Sequence, residues 1–336
     1  MKATQQSPFS GIKHVYVFCP GKSVTGGPEL LHQLVSELVR INVAASIVYY
    51  PLDKEWTTPD VYLRYQCPVS RTIPDCSDVA VIVPEVATRL LRSFKEALRC
   101  IWWLSVNNYR GSFENLDRFK VWIKRTLKPD IHQPQHLIHL FQSQYAADFV
   151  RRRFGVSGYF LSDYLADEFM TPVTLAKRQD VVVYNPKKGA STTRRIIEFG
   201  RGFEFLPIVN MDRHEVRSAL LSAKVYIDFG FHPGKDRIPR EAAASGCVVI
   251  VGRRGSARND VDVRVPDKYK LSPWQHKTAV KLIGDVIANY AEHFEAQQAY
   301  RDVILGERVA FEREVNQIFC GARLPSAADQ KSDNGE

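Results

Sequence analysis

The chain reads as an α/β protein of two Rossmann-like domains facing each other across a cleft, and three stretches predict it. Lys224–Val251 (KVYIDFGFHPGKDRIPREAAASGCVVIV) runs as apolar strand, loop, small-residue helix and apolar strand. The opening, HVYVFC then PGKSVTGG, PELLHQLVSELVR and VAASIVYY, has the same order. DVVVY, NPKKG and the helix after them start that order again at Asp180. Two apolar strands joined by a helix predict a right-handed crossover within a parallel sheet.

Taken in order, residues 1–11 are a flexible lead-in and His14–Cys19 is the first strand. Leu30, Leu31, Leu34, Val35, Leu38 and Val39 have helical spacing, and Val43–Tyr50 is the next strand. The glycine turn between them lacks GxGxxG, so no dinucleotide fingerprint is present. Gly26 and Gly27, with Pro28 suited to a first helical position, let backbone N–H groups approach a ligand or simply make a tight turn.

Pro51, Pro59, Pro68 and Pro74 make residues 51–78 an irregular connection. Val79–Val83 is a strand, Glu85–Leu98 a helix and Arg99–Val106 a strand that ends in Asn107 and Asn108. Amides at the carboxyl end of a parallel strand either contact a ligand or make an Asx turn. Phe113–Lys128 is a helix with an apolar side (Leu116, Phe119, Ile123, Leu127) and a strongly basic remainder. It suits an anionic membrane surface or a solvated basic face. Leu137–Phe141, Ser143–Arg153 and Gly158–Leu161 follow as strand, helix and strand.

The first domain is expected over 1–170 and the second over 171–320, with a polar, disordered tail at 321–336. In the second, Asp180–Tyr184 is a strand, Ser191–Phe199 a helix, and Asp212 an N-cap. Pro239 suits the first helical position of the central unit and Gly246 its C-cap. Val261–Val265 is a short strand, and a helical tract runs from Ser272 to about Cys320.

Composition narrows the partners. The 336 residues are 45% hydrophobic and 25% charged, ordinary for a globular protein, with a net charge of +9 that favours an anionic partner. Basic residues are dispersed and no nucleic-acid module is legible, so nucleic acid is not expected. The six cysteines include no CxxC pair and read as buried thiols in a reducing compartment. MKATQQSPFSG has no apolar signal core, and the expected location is the cytoplasm, with peripheral contact at the inner face of the membrane.

The densest chemistry lies in the central loop. Lys235, Arg237 and Arg240 sit at the positive end of a helix, where each cation is unfavourable by roughly 0.3–1 kcal/mol unless an anion meets it. Gly234 allows close backbone approach, and Glu241 could accept hydrogen bonds from a diol. A phosphate beside a ribose would use all of these features. The alternative is a solvated loop neutralised by Glu241 and Asp236.

NPKKG with Lys187 and Lys188, GKDRIPREAAASGCVVIV with Glu241, and Gly26-Gly27 together resemble the GT-B glycosyltransferases. That family sets two Rossmann-like domains across a nucleotide-sugar site, often with final helices crossing back to the first domain. The resemblance implies donor binding by Lys187, Lys188, Gly234, Lys235, Arg240 and Glu241, the last on the ribose diol. It places Gly26, Gly27, Asn107 and Asn108 on the acceptor side. Many retaining members carry a glutamate eight residues before the ribose one; here that position is Pro233, so retaining chemistry is not carried over.

The implied reaction moves a sugar from a nucleotide-sugar to a glycan or lipid-linked acceptor, as in bacterial surface-polysaccharide assembly. Lysines and arginines would offset charge on the leaving diphosphate with neither metal nor cofactor. Asp260-Val261-Asp262 has DxD spacing but sits in a loop. Glu29, Glu85 and Asp163 are the candidates for a catalytic base. A nucleotide-sugar epimerase and a non-catalytic nucleotide- or sugar-binding protein are the alternatives.

Overall fold

A computed structural model describes residues 7–110, 131, 133–170 and 178–321. The first half forms a six-stranded parallel sheet in the order β2-β1-β3-β4-β5-β6. Its strands are β1 (His14–Pro20), β2 (Ala45–Tyr50), β3 (Val79–Pro84), β4 (Leu98–Trp103), β5 (Ile138–Phe141) and β6 (Tyr159–Phe160). Between them lie α1 (Gly26–Arg40), α2 (Asp60–Leu63), α3 (Val106–Arg110) and α4 (Gln144–Phe154). Val17, Phe18 and Cys19 are fully buried, as expected for a strand covered on both faces.

The second half is a five-stranded parallel sheet in the order β11-β10-β9-β7-β8. It contains β7 (Gln179–Tyr184), β8 (Glu204–Pro207), β9 (Ala223–Asp228), β10 (Val248–Gly252) and β11 (Lys270–Leu271). Its helices are α5 (Ala190–Phe199), α6 (Arg213–Ser222) and α7 (Arg237–Ala244). A helical tract follows: α8 (His276–Ala288), α9 (Tyr290–Ala296), α10 (Gln298–Leu305) and α11 (Glu307–Val315), with a π turn at Asn316–Cys320.

The end of this tract crosses back to the first half. Phe311, Val315, Ile318 and Phe319 join the core beneath the first sheet. The rings of Phe9 and Phe319 lie 4.2 Å apart, and Ser7 Oγ donates to the Ile318 carbonyl at 2.5 Å.

Several local expectations are corrected. Glu85–Leu98 is not an α-helix; only a 3-10 turn, Thr88–Ser93, forms there. Its buried residues Leu91, Phe94 and Ala97 recur every third position, and Asp75 accepts the amides of Lys95, Glu96 and Ala97 that a helix would need. Val261–Val265 is a turn, because the Asn259 side chain accepts the Val261 and Asp262 N–H groups; the edge strand is β11.

Helices α1 and α7 each begin two residues before Pro28 and Pro239. First-turn amides have no intrahelical acceptor, so proline costs no bond at the third position either. Asn107 and Asn108 fall in α3 rather than at a strand end. Asp212 caps α6 as expected, in a reciprocal box with Glu215. Gly246 takes φ 96 just past α7.

Phe113–Lys128, the 171–177 link and the tail beyond Gly321 lie outside the described residues. Among the described residues no helix is long and apolar enough to cross a membrane. All six cysteines carry free thiols.

Candidate active site

A cavity of about 600 Å³ opens between the two sheets, where β1, β3 and β9 end at Pro20, Pro84 and Asp228. The carboxyl ends of parallel strands are where such sheets hold ligands. From the first half the wall includes Gly26, Gly27, Glu85, Asn108 and Gln142. From the second it includes Asn185, Lys188 and the run from Pro233 to Pro239.

Two helices start at this wall without a side-chain cap. Thr25, the N-cap of α1, makes no capping bond, and neither does Asp236, the N-cap of α7. Aspartate at that position ordinarily accepts an amide of its own first turn. Here the Asp236 carboxylate accepts instead from Lys188 Nζ at 2.5 Å and lies 3.2 Å from His232 Nδ1.

His232 is 1% exposed, and its Nε2 lies 3.8 Å from Asp228 Oδ1. Burial works against charge on the imidazole, but Asp228 and Asp236 outweigh it and raise the pKa. For Asp236, burial is likewise outweighed by Lys188 and His232, which hold the carboxyl below its usual range. Asp228, His232 and Asp236 bring donor atoms within 4.8 Å of one another, a grouping of the kind that can hold a metal. In this chain Lys188 already brings a positive charge to Asp236 there.

The other loop cations are all engaged by carboxylates, although Lys235 and Arg237 also line the cavity. Arg240, 1% exposed, donates to Asp163 at 2.5 Å and to Glu307 at 2.6 Å. Lys235 Nζ reaches Glu307 at 2.9 Å. Arg237 pairs with Glu29 and, at 3.2 Å, with Glu241. Burial pushes the Glu241 carboxyl up despite Arg237.

Among the residues singled out from the sequence, Lys188, Gly234, Lys235, Gly26, Gly27, Asn108 and Glu85 line the cavity. Lys187, Arg240, Glu241, Asn107, Glu29 and Asp163 do not. Lys187 is exposed, with its backbone N–H on Asn185 Oδ1. Gly234 is where the two halves touch: a Cβ there would lie 2.7 Å from both Gln142 Oε1 and the Leu104 carbonyl. A Cβ on Gly26 would meet Arg237 Cδ at 2.9 Å.

The three base candidates separate clearly. Glu29, 1% exposed, accepts from Arg64, Tyr65, Arg213 and Arg237. Burial alone would raise its carboxyl, but Arg237 and Arg213 hold it down to about 2. Asp163, fully buried, is committed to Arg240 and to Gln142 Nε2 at 3.2 Å. Glu85 stands at the end of β3 and accepts the Leu104 N–H at 3.0 Å.

Asp260 and Asp262 diverge. Asp260 pairs with Lys270 at 2.6 Å, whereas Asp262 accepts the Gln144 and Tyr145 amides at the start of α4. Sequence reasoning missed Arg64, Arg213 and Glu307 as members of this network. Each meets its partner from a distant part of the chain, so no local spacing announces it.

No protein-family model matches the chain, and no curated protein matches it in sequence. Solved structures do match its architecture. HepE from Anabaena, in complex with UDP-glucose, superposes with a TM-score of 0.58 at 9% identity, over 92% of this chain and 100% of that one. The lipopolysaccharide outer core galactosyltransferase WaaB, in its apo form, gives 0.57 at 12% identity over the same shares. A TarM variant from S. aureus in complex with fondaparinux, α-GlcNAc-glycerol and UDP gives 0.51 at 12% identity over 71% of this chain. The chain spans little more than half of TarM, 56% of its length. Two parallel Rossmann-like sheets, a cavity at their carboxyl ends and a helical tract that returns to the first half make this the GT-B glycosyltransferase fold.

Proposed function

We propose that the protein is a glycosyltransferase that moves a sugar from a nucleotide-sugar to a glycan or lipid-linked acceptor. The observation that carries this reading is the pair of uncapped helix N-termini, α1 and α7, opening with Lys188 onto one cavity. First-turn amides and the helix dipole favour an anion, and a lysine beside them is a further phosphate donor. HepE and TarM, which share the fold, were solved with UDP-glucose and UDP.

In this reading the donor diphosphate lies at the start of α7, where Lys188 offsets the charge that grows on it as the sugar leaves. Arg240 and Glu241 act from behind the wall by fixing the loop and the first turn of α7, and Lys235, on the wall itself, is tied to Glu307. Lys187 adds exposed positive charge beside Lys188. Gly26, Gly27 and Asn108 face the same cavity from the acceptor side. The charge of +9 and the basic stretch 113–128 fit work at the cytoplasmic face of a membrane.

Binding is tested first by thermal unfolding with a panel of nucleoside diphosphates. A ligand that binds only the folded state raises the melting temperature by mass action. One nucleoside diphosphate is expected to do so for wild type, and Lys188→Ala to lose most of the shift. If none does at millimolar concentration, the donor reading fails. Turnover that needs an acceptor then separates a transferase from an epimerase or a silent binder.

Glu85 is the proposed base for the acceptor hydroxyl, since it is the base candidate that lines the cavity. Glu85→Gln keeps an acceptor for the Leu104 amide but cannot take a proton. Turnover is expected to fall by about 10²–10⁴ with donor affinity nearly unchanged. A fall of less than threefold would remove Glu85 from that role.

A further inference from the structure

We infer that His232 is a positioning residue that holds the Asp236 carboxylate off the start of α7, so that this helix end and Lys188 are open to an anion. The inference rests on the donor reading above and assigns the device that makes the phosphate subsite work.

Asp236 has the extended backbone of an N-cap, φ −61 and ψ 136, yet its side chain caps nothing. Pro239 at the third helical position removes one amide it might have accepted, but the N–H groups of Arg237 and Ile238 remain without intrahelical acceptors. A free carboxylate would fold back onto them and fill the anion site from within. It would also set a negative charge where a diphosphate has to sit.

Two neighbours hold it aside, Lys188 and His232, and they differ in mobility. Lys188 is on the cavity wall, with its side chain 30% exposed, and can swing to a ligand phosphate. His232 cannot swing. Its side chain is 1% exposed, and its backbone carbonyl accepts the Ser256 N–H at 2.9 Å. Asp228 lies on the far side of its ring, where Gly230 N–H fixes one carboxylate oxygen at 2.8 Å. When Lys188 turns from Asp236 to a phosphate, the fixed His232 ring, its Nδ1 3.2 Å from the carboxylate, remains as the neighbour that keeps Asp236 in place.

The test is calorimetric titration with two probes, UDP and inorganic pyrophosphate, on four proteins: wild type, His232→Ala, Asp236→Ala and the double variant. Unfolding without ligand checks that each is folded. His232→Ala is expected to weaken both probes about tenfold or more. In the Asp236→Ala background the same histidine change is expected to cost less than about twofold, because the carboxylate it restrains is gone. That coupling distinguishes positioning from a general loosening of the fold.

If His232→Ala binds as wild type does, or loses the same factor with or without Asp236, the inference is overturned while the donor site stands. If wild type binds neither UDP nor pyrophosphate, the donor reading itself falls and takes the inference with it.

Discussion

Arg240→Met is expected to lower the free energy of unfolding by about 3–5 kcal/mol, because it strands two buried carboxylates. The guanidinium donates one nitrogen to Asp163 and another to Glu307, and also reaches the carbonyls of Lys235 at 3.0 Å and Asp236 at 3.3 Å. Asp163 is 0% and Glu307 3% exposed, so water cannot take over. Lys235 remains as a cation, 2.9 Å from Glu307 and 3.9 Å from Asp163, too little for two charges. Urea unfolding gives the size of the loss. Adding Asp163→Asn and Glu307→Gln to Arg240→Met is expected to recover most of it, since the penalty belongs to unpaired charge and not to lost volume. A loss below about 1 kcal/mol for Arg240→Met would mean that the carboxylates find other partners, and the buried triad would no longer explain how the first half, the α7 loop and α11 are held together.

Arg240 also shows where reading the chain stops. Strand and helix order was legible because apolar patterning is local: β1 and β9 are short, almost continuously buried apolar runs, and Leu30, Leu31, Leu34, Val35 and Leu38 recur at helical spacing on the buried side of α1. The loop cations were legible as a cluster, and the helix end behind them was real. Their destination was not. Arg240 finds its acids 77 and 67 residues away, and Arg237 finds Glu29 across 208 residues. An unpaired cation at a helix start looks the same in sequence whether a ligand or a distant carboxylate awaits it. Asp236 misleads in the opposite direction: as an ordinary N-cap it would silence the site, and His232 with Lys188 decides otherwise. The α-helix expected over Glu85–Leu98 failed for a related reason, since Asp75 takes the Lys95 and Ala97 amides from 20 and 22 residues upstream.

Glu29 is expected to govern how stability depends on acid. Its folded carboxyl is held down to about 2, below the ordinary value of 4.5, by Arg237 and Arg213 against the opposing effect of burial. A folded value below the unfolded one means that the stabilisation is fully present above about pH 4.5 and is lost as pH falls toward 2. The size is roughly 3 kcal/mol, from a shift of about two and a half pH units at 1.36 kcal/mol each. Wild type should therefore lose a visible share of its stability between about pH 5 and pH 3, and Glu29→Gln should show a flatter profile over that range. Equal slopes for the two proteins would remove Glu29 from the account. The residue matters beyond stability because its partners bridge the halves: α1 carries Glu29, and α6 and α7 carry Arg213 and Arg237. Arg237 lines the cavity while Glu29 holds it. Glu29→Gln frees that cation at the anion site and loosens the contact that sets one half against the other. Under the donor reading, UDP affinity should then be maintained or increased while turnover falls, and a parallel loss of both would show that Glu29 serves the fold alone.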